Sequence, residues 1–422
     1  MTAGAATRPR TAPTRAVTPP GGVQGVREAP LLGVWNSAVT SYFVILGATF
    51  LLLAIGLVMV LSSSSVESLA EGDSPYAVFL NQARFALIGL PVLLVVSRLP
   101  VRLVRRAAWP LLLGGIAFQM LVFTPLGRGE GGNQNWVKLP GFMAQPSEVL
   151  KVALAVWIGA VLARKLPLLR EWKHALVPVV PVAGLGIGVV VLGHDLGTAM
   201  VMVMLVAGAM FVAGVPLRMF AVAGALAAAG VAALTLGSDN RLNRIASWWS
   251  AECDVTNECY QSLHAGYGLA TGGWSGVGLG QSAEKWSYLP AAHNDFIYAI
   301  LGEELGLVGT LLVLLLFALL AFGMVRIMRR HPDPFVRITT AAVFAWIIGQ
   351  ATVNIAVVIG LAPVIGVPLP LVSAGGSALI MTMAALGLLL SFARTEPGAA
   401  EALAARASVV RRSLAVIGRT RG

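Results

Sequence analysis

The chain contains repeated apolar runs of about 18 or more residues, and no other sequence feature restricts its fold as strongly. A run of that length crosses a hydrocarbon core of roughly 30 Å as an α-helix. Because lipid offers no hydrogen-bond partners, the backbone N–H and C=O groups of each run must be satisfied within the helix itself. The sequence therefore predicts an all-α, polytopic membrane protein of about ten transmembrane helices. We place the spans at residues 42–62, 78–97, 107–125, 147–163, 175–192, 196–213, 217–236, 296–325, 336–361 and 369–393.

The composition supports the membrane class, because 57% of the residues are hydrophobic and only 12% are charged, against roughly 25% charged in soluble domains. We divide the chain into a Pro-rich, disordered N-terminal tail at 1–41, a transmembrane domain at 42–393 and a basic C-terminal tail at 394–422. The transmembrane domain includes one large polar loop, residues 237–295, between the seventh and eighth spans. Loops of that length are usually functional or disordered.

The net charge of +11 raises the question of a nucleic-acid partner, but the distribution of the charge argues against one. Most of the 30 lysines and arginines fall in alternate connections between spans and in the two tails. This asymmetry orients membrane proteins with their basic segments inside. It predicts that both termini are cytoplasmic and that the 237–295 loop is extracytoplasmic.

Only two cysteines occur, Cys253 and Cys259, and both fall in that predicted outer loop. A disulfide is one interpretation, because an extracytoplasmic compartment permits oxidation. Two unpaired thiols in a loop is the other interpretation, since spacing alone does not establish the geometry of a bridge.

Several ionisable residues lie in or beside apolar spans, where a charge is costly and usually faces a polar cavity. Glu148 and Lys151 begin the fourth span, and they form either a functional site or an i,i+3 ion pair without chemistry. Asp195 begins the sixth span and is predicted to be its N-cap, a structural role. Glu303 and Glu304 project about 100° apart, so we expect only one of them to face a cavity while the other pairs helices.

Asp295 stands where the predicted outer loop turns into the eighth span. The structural interpretation makes it the N-cap of that helix. The functional interpretation makes it a carboxylate at the boundary of membrane and water, where partial desolvation favours a general base. The sequence alone leaves both interpretations open.

At these residues the sequence resembles the SEDS family (shape, elongation, division and sporulation; FtsW/RodA type) over nearly all of residues 42–393. The most specific stretch is YLPAAHNDFIYAILGEELGLVG at 288–309. Four further strings are similar to the family pattern, and all five occur in its order: AQPSEVLK at 144–151, HDLGTA at 194–199, GLGQSAEKW at 278–286 and VNIAVVIGLAPVIGVPLPLVSAGGS at 353–377.

The resemblance implies that the chain polymerises lipid II, the undecaprenyl-pyrophosphate-linked disaccharide peptide, into peptidoglycan strands. It implies that Asp295 is the catalytic base, which takes the proton of the acceptor 4-hydroxyl during inverting β-1,4 transfer. It also implies substrate-binding roles for Gln145, Glu148, Lys151, Arg244, Ser282 and Lys285. Cations among them would stabilise the lipid pyrophosphate that leaves. A divalent cation, Mg²⁺ or Mn²⁺, could share that task, although the sequence shows no dedicated metal cage.

The partners implied by the resemblance are a class B penicillin-binding protein, which is a transpeptidase, and other membrane proteins of the division machinery. The long tails and the SAGGS ending resemble division members of the family more than elongation members, and they predict a place in the bacterial plasma membrane at the septum. A lipid II flippase and a non-enzymatic scaffold are the alternative functions. A flippase would need a polar path through the span interiors, but most of the ionisable residues in or beside the spans lie in the predicted outer half, which favours chemistry at the outer face over transport.

One departure from the family pattern concerns the leaving group. Asn135 stands where many members carry arginine ahead of a tryptophan, so the sequence does not support a pyrophosphate clamp in this segment. Arg84, Arg128 and Lys138 are the cations that would have to compensate.

Overall fold

The computed structural model describes residues 37–70, 72–130, 133–236, 259–286 and 288–405, which form helices and one small sheet. The first helices and the strands are α1 Thr40–Ala70, α2 Ala77–Val96, α3 Val101–Arg106, α4 Ala108–Met120, β1 Gly127–Glu130, β2 Asn133–Leu139 and β3 Phe142–Ala144. The remaining helices are α5 Pro146–Lys165, α6 Trp172–Leu176, α7 Val179–Leu192, α8 Leu196–Val212, α9 Leu217–Leu236, α10 Tyr260–Gly272, α11 Ile297–Arg330, α12 Pro334–Val358 and α13 Gly376–Arg394.

The predicted membrane class and helical fold are confirmed. Among the described residues, six helical segments are long and apolar enough to cross a membrane, and three shorter apolar helices accompany them. The predicted fourth span, 147–163, is α5, which is 20 residues long but carries Glu148 and Lys151 in its first half and Arg164 and Lys165 at its end. Of the predicted tails and the large loop, residues 1–36, 237–258 and 406–422 lie outside the described residues.

Three predicted spans have different boundaries in the structure. The predicted eighth span, 296–325, is interrupted at Gly306, whose φ of 66° and ψ of −165° divide α11 into 297–305 and 307–330. The predicted tenth span, 369–393, begins only at Gly376, because prolines keep residues 359–375 out of a helix. The predicted fifth span is divided by Pro178 into α6 and α7. Hydropathy identified the apolar segments but is insensitive to these breaks in the backbone.

A small antiparallel sheet interrupts the otherwise helical fold, and the sequence did not predict it. Its strands follow the order β1-β2-β3 within the polar segment that precedes α5. The register shifts between Arg128 and Gly129, where β1 pairs with β2. The Gln134 N–H donates to the Gly193 carbonyl at 2.8 Å, so the sheet is tied to the turn between α7 and α8.

The helix α5 lies at the centre of the packing, and nearly all of its residues are buried. It packs along both α12 and α4. At Gly159 a Cβ would lie 2.0 Å from the Thr339 Oγ1 atom, so glycine permits the close approach of α5 and α12. The other principal helix pairs are α13 with α2, α8 with α12, and α1 with α11. This close contact of α5 and α12 brings the charged start of α5 beside polar residues of α12.

Candidate functional site

Residues 359–375 form an extended, apolar segment between α12 and α13, and polar side chains of neighbouring helices hold its backbone. The Gln350 side-chain amide donates to the Pro368 carbonyl at 2.8 Å. The Asn354 amide, one helical turn further on, donates to the Val367 carbonyl, also at 2.8 Å. These bonds replace the helical hydrogen bonds that the prolines prevent, because buried carbonyl groups require donors. The 359–375 segment is therefore fixed in place, and the candidate site is built around it.

Asp295 lies against this segment, at the residue where the chain approaches α11. Its backbone carbonyl accepts a hydrogen bond from the Asn354 amide at 2.7 Å. Its carboxylate is next to Gly366, where a Cβ would come within 3.5 Å of the Asp295 Oδ2 atom. Asp295 is partly exposed, and Phe296 occupies the N-cap position of α11. The functional role of Asp295 stays a prediction.

Glu148 and Lys151 form the expected i,i+3 ion pair, with the ammonium 2.9 Å from the Glu148 Oε1 atom. The Lys151 ammonium also donates to the Gln350 side chain at 3.3 Å and lies 4.8 Å from the centre of the Trp346 ring. Only 2% of the Lys151 side chain is exposed. Burial of a charge requires such compensation by a counter-charge and hydrogen bonds. Gln350 thus joins this buried pair to the 359–375 segment.

Asp195 collects three donors at the start of α8. Its Oδ1 atom accepts from the Thr198 N–H at 3.0 Å, which is the predicted N-cap contact. Its Oδ2 atom accepts from the Gln145 amide at 3.0 Å and from the Asn135 amide at 3.1 Å. The α8 helix beneath it touches the 359–375 segment, since a Cβ at Gly197 would lie 3.1 Å from the Ile365 carbonyl oxygen.

The Asn135 amide is uncharged, so it does not neutralise the Asp195 carboxylate at the position where many family members carry arginine. The three cations that could compensate, Arg84, Arg128 and Lys138, all have exposed side chains. Arg128 and Lys138 lie on β1 and β2, whereas Arg84 lies on α2.

Ser282 and Lys285, to which the resemblance gives substrate contacts, are bound instead to the two glutamates of α11. The Ser282 hydroxyl donates to the Glu303 carboxylate. The Lys285 ammonium lies 3.2 Å from Glu304 and 2.7 Å from the Gly280 carbonyl. Both glutamates are buried. Glu303 binds the 282–285 turn, whereas Glu304 also binds Ser62 of α1 and so pairs two helices, as expected for one of the two residues.

Two predicted residues, Arg244 and Cys253, lie outside the described residues. Cys259 is disulfide-bonded. Within the described ranges, no group of three or more His, Cys, Asp or Glu residues is arranged to hold a metal ion. The carboxylates of the candidate site occur singly, so these residues supply no ligand set for a divalent cation, and we derive no catalytic step through one.

Sequence reasoning overlooked the polar residues that organise the site. Gln350 and Asn354 lie four residues apart in an apolar helix and face the same segment. The sequence analysis assigned no role to Ser373, yet the Ser373 hydroxyl donates to the Asn294 carbonyl at 2.6 Å. Ser62, on α1, donates to Glu304 at 2.6 Å. Amides at i,i+4 spacing inside a membrane span would have identified the first two, because polar groups in lipid require partners.

The arrangement combines a carboxylate that is partly accessible with a buried cation and several amide donors around one extended segment. A carboxylate in such a position can accept a proton from a hydroxyl group. A cation held within the same cluster can stabilise negative charge that develops on a leaving group. The residues brought together by the fold are Gln145, Glu148, Lys151, Asp195 and Asp295.

Comparisons with known proteins agree with this architecture. A solved structure of a peptidoglycan synthase complex that coordinates polymerization and crosslinking is similar with a TM-score of 0.70 and 25% identity, covering 83% of this chain and 96% of that one. The Thermus thermophilus rod shape determining protein RodA is similar with a TM-score of 0.63 and 26% identity, covering 84% and 97%.

The sequence comparisons extend over nearly the whole chain. A Mycobacterium tuberculosis protein named as a probable peptidoglycan glycosyltransferase, FtsW, is 40% identical over 398 residues, which are 94% of this chain and 75% of that protein. The profile of the FtsW/RodA/SpoVE family, described as cell cycle protein, matches residues 43–397. The chain therefore belongs to the FtsW/RodA/SpoVE family of cell cycle proteins.

Proposed function

We propose that this chain is a peptidoglycan glycosyltransferase that polymerises lipid II into glycan strands during septal cell-wall synthesis. The observation that carries the proposal is the 40% identity over 94% of the chain to a relative named for that activity. The geometry supports it, because four of the five motif strings meet around the 359–375 segment. A multi-pass protein of the plasma membrane suits a substrate that is itself anchored in lipid.

The reaction joins two sugars and releases a lipid pyrophosphate. Asp295 accepts the proton of the acceptor 4-hydroxyl as its oxygen attacks the donor anomeric carbon. The new β-1,4 bond forms with inversion while the bond to the undecaprenyl pyrophosphate breaks. The pyrophosphate leaves as an anion, so it needs charge stabilisation more than a proton.

Lys151 is our candidate for that stabilisation. Its ammonium is bound to Glu148 and Gln350, so a pyrophosphate would approach a cation whose position is already fixed. A preorganised charge costs no reorganisation when the leaving group departs. Gln145 and Arg244 are further substrate-binding candidates by resemblance, and Arg244 lies outside the described residues.

The orientation, the septal location and the partner are also parts of the proposal. The positive-inside asymmetry supports an orientation with both termini in the cytoplasm and residues 237–295 outside. In a chain whose two cysteines are replaced by serine, a membrane-impermeant thiol reagent should label Ala270→Cys and not Leu168→Cys in intact cells. The reverse labelling pattern would overturn the orientation. A class B penicillin-binding protein is the proposed partner, in keeping with the solved synthase complex to which the fold is similar.

The decisive experiment uses the purified full-length chain, alone and with that partner, and labelled lipid II. Wild type should form glycan polymer, and Asp295→Asn should reduce the rate by about 10² or more. Asn is close to Asp in size, and Phe296 rather than Asp295 occupies the N-cap of α11, so the variant should insert and fold. Asp295→Glu should keep partial activity, because the geometry of proton transfer changes by one methylene.

Asp73→Asn is the matched control, because Asp73 is exposed in the connection between α1 and α2 and receives the same chemical change. We expect it to polymerise at the wild-type rate. An inserted Asp295→Asn protein with full activity would remove the catalytic assignment. Transport of lipid II without polymer would favour the flippase, and division that needs the chain but not Asp295 would favour the scaffold. Rescue of an elongation defect and not a division defect would favour the elongation polymerase.

A further inference from the structure

A second polar cluster lies at the other end of the helical segment that follows Asp295. It comprises Ser62, Lys285 and Glu304, with Glu303 and the 282–285 turn beside them. We propose that this cluster is a positioning device: it fixes the 297–305 segment and thereby the Asp295 carboxylate, and Lys285 acts through Glu304 rather than on the substrate. The inference rests on the proposed function and extends it to residues of that same site.

The Lys285 ammonium has three hydrogen-bond donors, and all three have partners in the protein. They are the Gly280 carbonyl at 2.7 Å, the Glu304 carboxylate at 3.2 Å and the Ser62 hydroxyl at 3.4 Å. Only 4% of the Lys285 side chain is exposed, and Glu304 is fully buried. These partners compensate the buried charge of the ammonium within the protein itself.

Ser62 connects the cluster to a different helix. Its hydroxyl lies 2.6 Å and 2.7 Å from the two oxygens of Glu304, so α1 holds the carboxylate that holds Lys285. Glu303, the neighbouring residue, accepts from the Ala283 N–H at 2.8 Å and from the Ser282 hydroxyl. The 282–285 turn is thus attached to both glutamates.

The break at Gly306 makes the 297–305 segment a separate short helix that needs its own support. Its last carbonyl groups would be unsatisfied, but those of Glu303 and Glu304 accept from the Val277 and Gly278 N–H groups at 3.0 Å each. A Cβ at Gly306 would lie 2.3 Å from the Gly276 backbone nitrogen, so the outer-loop turn packs directly on the break. The polar cluster therefore anchors the far end of this helix.

The near end of the same helix is anchored at Asp295. Asn354 donates to the Asp295 carbonyl at 2.7 Å, and Ser373 donates to the Asn294 carbonyl at 2.6 Å. Residues 297–305 rise about 12 Å along a helix axis, at roughly 1.5 Å per residue. Lys285 therefore supports the end of this helix that is remote from Asp295, whereas Lys151 is joined through Gln350 to the 359–375 segment that Asp295 contacts.

The test compares single variants with a paired neutral variant of the full-length chain, using labelled lipid II. We expect Lys285→Met and Glu304→Gln each to lose at least tenfold in kcat, because each leaves a buried charge unpaired. The double variant that combines Lys285→Met with Glu304→Gln, called the pair below, should regain most of that activity, because no uncompensated charge remains. Ser62→Ala should lower kcat about tenfold and keep KM for lipid II within about twofold, since it acts only on geometry.

Ser63→Ala is the matched control, because within the described residues the Ser63 hydroxyl bonds only to the Met59 carbonyl of its own helix, at 2.8 Å. We expect full activity from it. Amide hydrogen exchange of residues 295–305 should be faster in Ser62→Ala and in Lys285→Met, and should return to the wild-type rate in the pair. If Lys285→Met or Glu304→Gln fails to insert, the pair and Ser62→Ala are each compared with wild type instead.

Two results would overturn the positioning role. The first is a correctly inserted pair that is as inactive as Lys285→Met, which would put the ammonium on the substrate. The second is unchanged amide exchange over residues 295–305 in Ser62→Ala. A wild-type chain that forms no polymer would contradict the proposed function itself, and the exchange measurements would still decide the positioning role.

Discussion

Replacing Gly366 by alanine tests whether the reaction needs access to the Asp295 carboxylate from the side of Gly366. Gly366 has a φ of +74°, and a Cβ built on it lies 3.5 Å from the Asp295 Oδ2 atom. That separation is ordinary van der Waals contact, so the methyl group covers the carboxylate without displacing it. An acceptor hydroxyl or a water molecule would lose that approach to the oxygen.

Two costs must be separated in this variant. A residue with a Cβ at positive φ costs roughly 1–2 kcal/mol whatever it touches. Gly360 supplies the matched control, because it lies in the same 359–375 segment with a φ of +76° and a Cβ there would meet no heavy atom of the described residues within 4 Å. Gly360→Ala therefore has the same conformational cost and lacks the contact with Asp295.

Both variants should lower the thermal unfolding midpoint of the purified chain by a similar amount. Only Gly366→Ala should lower kcat for lipid II polymerisation, by about tenfold, which corresponds to about 1.4 kcal/mol in the barrier. Equal kcat values for the two variants, at equal stability, would refute the reasoning that the reaction needs access to Asp295 from the side of Gly366.

The remaining predictions concern three other places in the chain. The neutral pair Glu148→Gln with Lys151→Met should insert and fold, because a buried ion pair can be replaced without loss of stability, yet polymerise at least tenfold more slowly; wild-type activity would return the pair to a purely structural role. Burial raises the pKa of the Glu396 carboxyl above its ordinary value of 4.5, against the opposing effects of Ser41 and two arginines. Its contribution to stability is therefore present below pH 4.5 and lost as pH rises through the folded pKa, so Glu396→Gln should raise the unfolding midpoint at neutral pH but not at pH 4.5. An unfolding midpoint that differs by the same amount between wild type and Glu396→Gln at pH 4.5 and at neutral pH would contradict this prediction. Asn135→Arg should retain polymerisation within about threefold, because Asp195 lies 3.1 Å from the Asn135 amide and can pair with the new charge; failure to insert would contradict this expectation.

The sequence could predict the membrane class and the number of spans because both depend on the length of apolar runs, a local property. It also identified Asp295 and the Glu148–Lys151 neighbourhood as places where charge is expensive. The i,i+3 geometry of that pair follows from helix periodicity alone, and the structure contains it at 2.9 Å. The assignment of a reaction to these residues came from the resemblance of the motif strings, not from their periodicity.

Only the tertiary structure decided which polar groups meet. Ser62 and Glu304 are 242 residues apart in sequence, and no local pattern links them. The break at Gly306 depends on the 274–276 backbone packing against it, which hydropathy does not register. Lys285 belongs to the motif string at 278–286, but the string does not show what surrounds it. Its contacts with Glu304, Ser62 and the Gly280 carbonyl depend on how the helices pack. Spans are determined locally by transfer from water to lipid, whereas partners of buried polar groups depend on how distant segments pack, and that packing gave each carboxylate its neighbours.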